Sequence, residues 1–274
     1  MNWKKILVGK WSWKRPLYSL AFIYLTFLLV ACFLADKIIF QPPGIAYSKN
    51  RRGFSLLGKG EEATAIFYLP ARPGMPTLLW SHGNAQNLES LKPALDYFHT
   101  YGFGVISYDY PGYGESGGEP SEEGCYRAIE ATYRHLTGEL AVPACDTVLV
   151  GQSVGTGPTC WLAARQKHAS VVLLSPFMST FRSVTRIPLF PGDRFPNHNH
   201  LAEVATPLLV IHGKKDQVIP FSQGEDLFRC SPSRQKTFLP VEHAGHNDLF
   251  ESGAFNLPTL ILELLGRDDI KTSG

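Results

Sequence analysis

Beyond about residue 60 the chain settles into a rhythm of short apolar runs, turn residues, and longer stretches with apolar positions three and four apart. The short runs Thr64–Leu69, Thr77–Ser81, Gly104–Tyr108, Thr147–Gly151, Val171–Ser175, Leu208–His212 and Lys236–Leu239 predict strands. Several are apolar without alternation, the pattern of strands covered on both faces. Helix-length segments lie near Leu88–Tyr101, Ser121–Leu136, Val154–Lys167, Phe221–Arg229 and Asp248–Leu265. Repeated strand–helix alternation predicts an α/β domain with a mostly parallel central sheet and helices on both faces. Ligands then bind beyond the carboxyl ends of the strands.

Two stretches break this rhythm. Pro176 to Thr206, rich in Pro, Phe and Arg, interrupts the alternation and is expected to lie over the carboxyl edge as a small cap (about 176–206). Within it, His198 and His200 stand two apart with no third ligand nearby, so Asn197-His198-Asn199-His200 reads as a solvated loop rather than a metal site. Near the amino terminus, Leu17–Ala35 runs for 19 residues without a charge, long enough to cross a hydrocarbon core as a helix. Lys4, Lys5, Lys10, Lys14 and Arg15 precede it, and Trp3, Trp11 and Trp13 cluster where amphipathic rings favour a membrane interface.

A buried core helix is disfavoured because the segment is apolar all round and flanked by charge on both sides. A cleaved signal peptide, or a lipoprotein box at Leu29-Val30-Ala31-Cys32, is opposed by the long tryptophan-bearing segment before the run and its continuation through Phe33 and Leu34. Residues 1–37 are therefore expected to be a stub and an uncleaved anchor, and 38–270 the catalytic domain. Five basic residues before the span against Lys37, Lys49, Arg51 and Arg52 after it lean towards a cytoplasmic amino terminus, with the domain on the non-cytoplasmic (periplasmic) side.

Composition narrows the function classes. A net charge of +2 without long runs of either sign gives no footprint for nucleic acid. The five cysteines form no CxxC pair and no metal-ligand spacing, which reads as core or surface thiols. No metal or organic cofactor is expected.

The chemistry concentrates at Gly151-Gln152-Ser153-Val154-Gly155, between a predicted strand and a predicted helix. That is the setting of a nucleophile elbow, a tight turn that lifts a serine hydroxyl above the sheet. Serine needs a base, and the base needs an acid to hold its tautomer. Asp216, in the loop after Leu208–His212, is the expected acid, although it could instead cap the turn before Gln217–Pro220. Of His243 and His246, His246 is the expected base, because Gly245 lets its loop approach the serine. Backbone N–H groups of Val154 and of Asn84, in Ser81-His82-Gly83-Asn84-Ala85, are the expected oxyanion donors. His82 and Asp109 read as residues that fix loops.

Together, SHGNA, DYPGYGESGG, GQSVG, HGKKDQVIP and AGHNDLF resemble the membrane-anchored α/β-hydrolases with an HGNA oxyanion loop. That group includes eukaryotic protein depalmitoylases and bacterial serine aminopeptidase-like and lysophospholipase-like enzymes. The likeness runs from about Ile38 to Leu265 and includes Ile39-Phe40-Gln41-Pro42. It implies the α/β-hydrolase fold, a Ser153–Asp216–His246 triad, and Asn84 and Val154 at the oxyanion hole. The bare anchor, without a cysteine-rich amino terminus, suggests a bacterial member. The expected activity is hydrolysis of a carboxylic ester or thioester, small or lipid-like, through an acyl-serine. A serine aminopeptidase and a non-catalytic membrane-tethered scaffold are the alternatives.

Overall fold

The protein is described by a computed structural model covering residues 13–33, 35–44, 52–185 and 193–267. Eight strands form one sheet: β1 (Phe54–Leu57), β2 (Thr64–Leu69), β3 (Thr77–Ser81), β4 (Gly104–Tyr108), β5 (Thr147–Gln152), β6 (Ser170–Leu174), β7 (Leu208–Gly213) and β8 (Lys236–Val241). Their order is β1-β2-β4-β3-β5-β6-β7-β8. The pairs β1/β2 and β2/β4 are antiparallel, and every other neighbouring pair is parallel. The seven expected strands are all present. β1 is the addition, a four-residue edge strand too short to stand out in the sequence.

Alternation along the strands divides the core. Leu79, Ile106, Leu149, Val171 and Val210 face one way. They pack under α4 (Glu122–Arg134) and α5 (Thr156–Ala163) through residues such as Cys125, Ile129, Cys160 and Leu162. Leu78, Trp80, Val105, Val148, Val150 and Ile211 face the other way, under α3 (Leu88–Thr100) and α9 (Leu257–Leu264). Because successive strand side chains point to opposite faces, an unbroken apolar run serves both layers. Helix starts follow side-chain chemistry. Asn87 and Ser90 make a reciprocal capping box on α3, and the Ser121 hydroxyl accepts from the Gly124 N–H at α4.

Three expectations need correction. The helix expected over Asp248–Leu265 shrinks to α9, because Asn256 caps its start, accepting from the Thr259 N–H. Asp248 is drawn instead to the Gly245 N–H, 2.6 Å away. The asparagine–histidine stretch is not a loop but a short helix, α7 (Asn197–Leu201), with Asn197 fully buried and donating to the Phe177 carbonyl. Burial, followed by the neighbouring charges of Arg165 and His198, lowers the His200 pKa to about 4.

The third correction concerns the anchor. A helix, α1 (Lys14–Phe33), does form, followed by α2 (Ala35–Ile39). Among the described residues, however, no helix is long and apolar enough to cross a membrane. The first turn of α1 carries Lys14, Arg15 and Pro16, so the uncharged stretch within the helix is shorter than the roughly 20 apolar residues a crossing requires. The side chains at 30–33 and 35, and all of residue 34, lie outside the described residues, as do Trp3, Trp11, Lys49 and Arg51.

Candidate active site

β5 ends at Gln152, and the chain turns at once through Ser153–Gly155 into α5. Ser153 sits in the left-handed region with φ +53°, a strained conformation for a residue with a side chain. The turn can be this tight because its flanks lack Cβ atoms. At Gly155 a Cβ would stand 2.2 Å from the Ser81 carbonyl oxygen, and at Gly151 it would stand 2.8 Å from that of Gly155.

Opposite this turn, two loops from neighbouring strands lie against each other. Lys214 N–H donates to the Val241 carbonyl at 2.9 Å, and Lys215 N–H to Ala244 at 3.0 Å. Gly213 makes that approach possible, since a Cβ there would fall 2.4 Å from the Ala244 oxygen. The loops deliver Asp216 and His246. His246 Nε2 lies 2.9 Å from Ser153 Oγ, and its Nδ1 lies 2.7 Å from Asp216 Oδ2. The three residues, 93 and 30 positions apart along the chain, thus form one continuous line. His243 is exposed and stands outside it.

Asp216 does two jobs with its two oxygens. Oδ1 accepts from the N–H groups of Val218 (2.9 Å) and Ile219 (2.8 Å), which is the turn-capping role its sequence context also allowed. Oδ2 faces His246. A second histidine, missed in the sequence, faces it too: His212 Nε2 is 3.3 Å from Asp216 Oδ2 and 3.0 Å from the Ile219 carbonyl. Two acceptors around Nε2 require the proton there. His212 Nδ1 has no hydrogen-bond partner among the described residues, and Gly224 closes against it, where a Cβ would be 2.3 Å away. Burial pushes the Asp216 carboxyl up, but hydrogen bonds from His212, His246 and Ile219 outweigh it and hold the group well below the usual carboxylate range. Only the position of His212, four residues before Asp216 on the same strand end, could have drawn attention to it.

The loop after β3 runs beside the serine. A Cβ on Gly83 would be 3.8 Å from Ser153 Cβ. Gln86, also unnoticed in the sequence, takes the Gly83 N–H at 2.7 Å. The Asn84 side chain holds the backbone of Ile39 and Gln41. Below the loop, buried His82 and Asp109 meet at 3.4 Å, and Asp109 accepts from the Leu88 N–H that opens α3. Both are the loop-fixing residues expected.

Ser153, Val154, Asn84 and His246 line a cavity of about 460 Å³. Its apolar wall is Ile39, Val154, Phe177, Val218 and Ile219. Among the phenylalanines of the 176–206 stretch, Phe177 lines the cavity and Phe181 does not, Phe195 is wholly buried in the core, and Phe190 lies outside the described residues.

Comparison with known proteins points the same way. A profile for the alpha/beta hydrolase fold matches residues 65–200, and one for serine aminopeptidase S33 matches residues 197–253. Human alpha/beta hydrolase domain-containing protein 17B is 38% identical over 200 residues, covering 70% of this chain and 67% of that protein. The protein aho-3 of Caenorhabditis elegans is 42% identical over 187 residues, 63% of this chain and 53% of its own. Mouse protein 17C is 38% identical over 203 residues, 72% and 62% respectively. The match to these last two thus spans less than two thirds of their own lengths. These relatives are animal proteins and lend no support to the bacterial affiliation expected.

Among solved structures, a Pyrococcus furiosus esterase superposes with a TM-score of 0.68 at 14% identity, over 84% of this chain and 97% of that one. Mouse alpha/beta hydrolase domain-containing protein 10 superposes at 0.61 with 18% identity, over 78% and 98%. At such identities the likeness speaks for the fold alone.

Proposed function

Since the chain belongs to the α/β-hydrolase fold family, we propose that it is a serine hydrolase cleaving carboxylic esters or thioesters through an acyl-Ser153 intermediate. The observation that carries this is the unbroken line from Ser153 Oγ through His246 to Asp216 Oδ2. Asp216 accepts from Nδ1–H, which leaves Nε2 as the acceptor for the serine proton. Ser153 Oγ attacks the acyl carbon while Nε2 takes that proton, and Nε2–H then returns it to the departing alcohol or thiol. Water, deprotonated by the same nitrogen, releases the acid. The N–H groups of Val154 and Asn84 hold the oxyanion, each worth about 3 kcal/mol of transition-state stabilisation.

The apolar wall of the cavity supports an acyl chain as the group bound beside the serine. Lipid-like substrates fit a further part of the proposal, association with a membrane through α1. Leu17, Leu20, Phe22, Ile23, Leu25, Phe27 and Leu29 are each half exposed or more, and a run of exposed apolar side chains of this kind marks a surface for a membrane or a partner. On which side of that membrane the domain lies is to be read from a carboxyl-terminal reporter fusion.

The aminopeptidase reading is weaker. A free amine needs a counter-charge, and no carboxylate is among the described residues lining the cavity. An inert scaffold has no use for an intact relay.

A fluorophosphonate probe is expected to label the wild-type chain and not Ser153→Ala. Equal labelling of both would end the nucleophile assignment. Profiling p-nitrophenyl esters of increasing chain length against aminoacyl amides then separates esterase from peptidase, and preference for amides would overturn the ester reading.

A further inference from the structure

The segment Asp36–Gln41, made of α2 and the two residues after it, follows the N-terminal helix, and two of its residues line the site cavity. The Asn84 side-chain amide grips this strap as one backbone grips another. Its Nδ2 donates to the Ile39 carbonyl at 2.6 Å, and its Oδ1 accepts from the Gln41 N–H at 3.0 Å. The Tyr113 hydroxyl completes the clamp, donating to Asn84 Oδ1 at 2.7 Å and accepting from the Gln41 N–H at 2.9 Å. Asn84 Oδ1 also takes the Ala85 N–H at 3.0 Å. Ala85 carries φ +55°, a conformation that local contacts must hold.

The strap is itself anchored on both sides. Phe40 is 4% exposed and packs edge-on against Tyr113 and Phe195. Asp36 pairs with Arg194 Nε at 3.0 Å, tying the strap to the segment that follows residue 192. Ile39 and Gln41 then form part of the cavity wall beside Ser153.

We propose that Asp36–Gln41 is a positioning element of the catalytic site: through the Asn84–Tyr113 clamp it fixes the 82–86 loop whose Asn84 N–H is assigned to the oxyanion. This rests on the oxyanion assignment made above. Asn84 accordingly has two separable parts, a backbone donor for the reaction and a side chain that reads the strap. A pre-positioned donor is effective because no reorganisation is left for the moment of reaction. A loop freed by an ångström loses that advantage while still admitting substrate. The strap therefore acts on kcat rather than KM.

Tyr113→Phe deletes the bridging hydroxyl and keeps the ring against Phe40. Asn84→Ala deletes the clamp and keeps the backbone N–H. Amide hydrogen exchange at residues 83–86 and steady-state kinetics on a p-nitrophenyl ester are to be read in both variants of the full chain. Faster exchange in the loop, with kcat about fivefold lower in Tyr113→Phe, a larger fall in Asn84→Ala, and KM unchanged in both, is the expected result. Unchanged exchange in Tyr113→Phe overturns the proposal, since the strap would not be holding the loop. Faster exchange with wild-type kcat also overturns it, while leaving the Ser153 assignment intact. If wild type fails to react with the fluorophosphonate, the hydrolase reading and the strap's catalytic role fall together, and the exchange data show whether the clamp itself was real.

Discussion

At Asp216 the electrostatics of the site are decided by one carboxylate shared among four donors. His246 and His212 meet Oδ2, while Val218 and Ile219 meet Oδ1. Replacing Asp216 by Asn keeps the shape but presents an amide to Nδ1, favouring the wrong tautomer, and kcat is expected to fall about 10⁴-fold. The same carboxyl links stability to pH. Its pKa is lowered on folding, so its contribution is complete above the ordinary carboxylate range and is lost as pH falls below about 4 towards the lowered value. A plot of Tm against pH from 7 to 3 should therefore drop less steeply at its acid end in Asp216→Asn than in wild type. His212 is buried against Asp216 and does not line the cavity, so any effect on the reaction passes through that carboxylate. His212→Leu removes one donor to an ionised acceptor and is expected to lower kcat about tenfold with KM held. Steady-state kinetics on one ester would check this, and an unchanged kcat would show that the second histidine only fills space.

Among the elements, the strand-to-helix turn after β5 is the most constrained. It stores a non-glycine residue at positive φ and presses its last glycine against the carbonyls of Ser81 and His82, at the end of β3. Gly155→Ala has no flexible side chain to displace, because the atoms in the way are the backbone oxygens of Ser81 and His82. Urea unfolding is expected to show a loss of about 3 kcal/mol. Fluorophosphonate labelling should fall as well, since the displaced atoms lead directly into the 82–86 loop. Asp109 does related work in the same region. One oxygen holds the first turn of α3 and lies beside His82, so one carboxylate ties the helix start to the loop before it.

At the scale of the whole molecule, an exposed apolar helix is followed by a six-residue strap that contributes to the wall of the site. The two ends of that arrangement separate on truncation. A chain starting at residue 34 is expected to lose co-sedimentation with phospholipid vesicles and to keep its kcat on a soluble ester. A chain starting at residue 42 is expected to lose most of that kcat too, because the Asn84 clamp then closes on nothing. Retention of vesicle binding by the first truncation would remove α1 from the membrane proposal.

Much of this was legible in the chain alone. A strand with both faces buried must be apolar throughout, and a serine held on a tight turn between strand and helix needs small flanking residues, so seven strands and the turn at Ser153 could be read from local pattern. Chain order and loop position did the same for Asp216 and His246. What only the tertiary structure decided involves partners brought together from distant parts of the chain. His212 beside Asp216, Asn84 on the strap 43 to 45 positions away, and Asn197 buried where its polarity suggested a loop all depend on which surfaces meet. The extent of α9 has a local cause, a capping asparagine within an apolar stretch, but the diversion of Asp248 to its neighbouring loop was needed to see it. Periodicity and motif report the conformation of a segment, whereas hydrogen bonds between segments follow from packing geometry that no single segment contains.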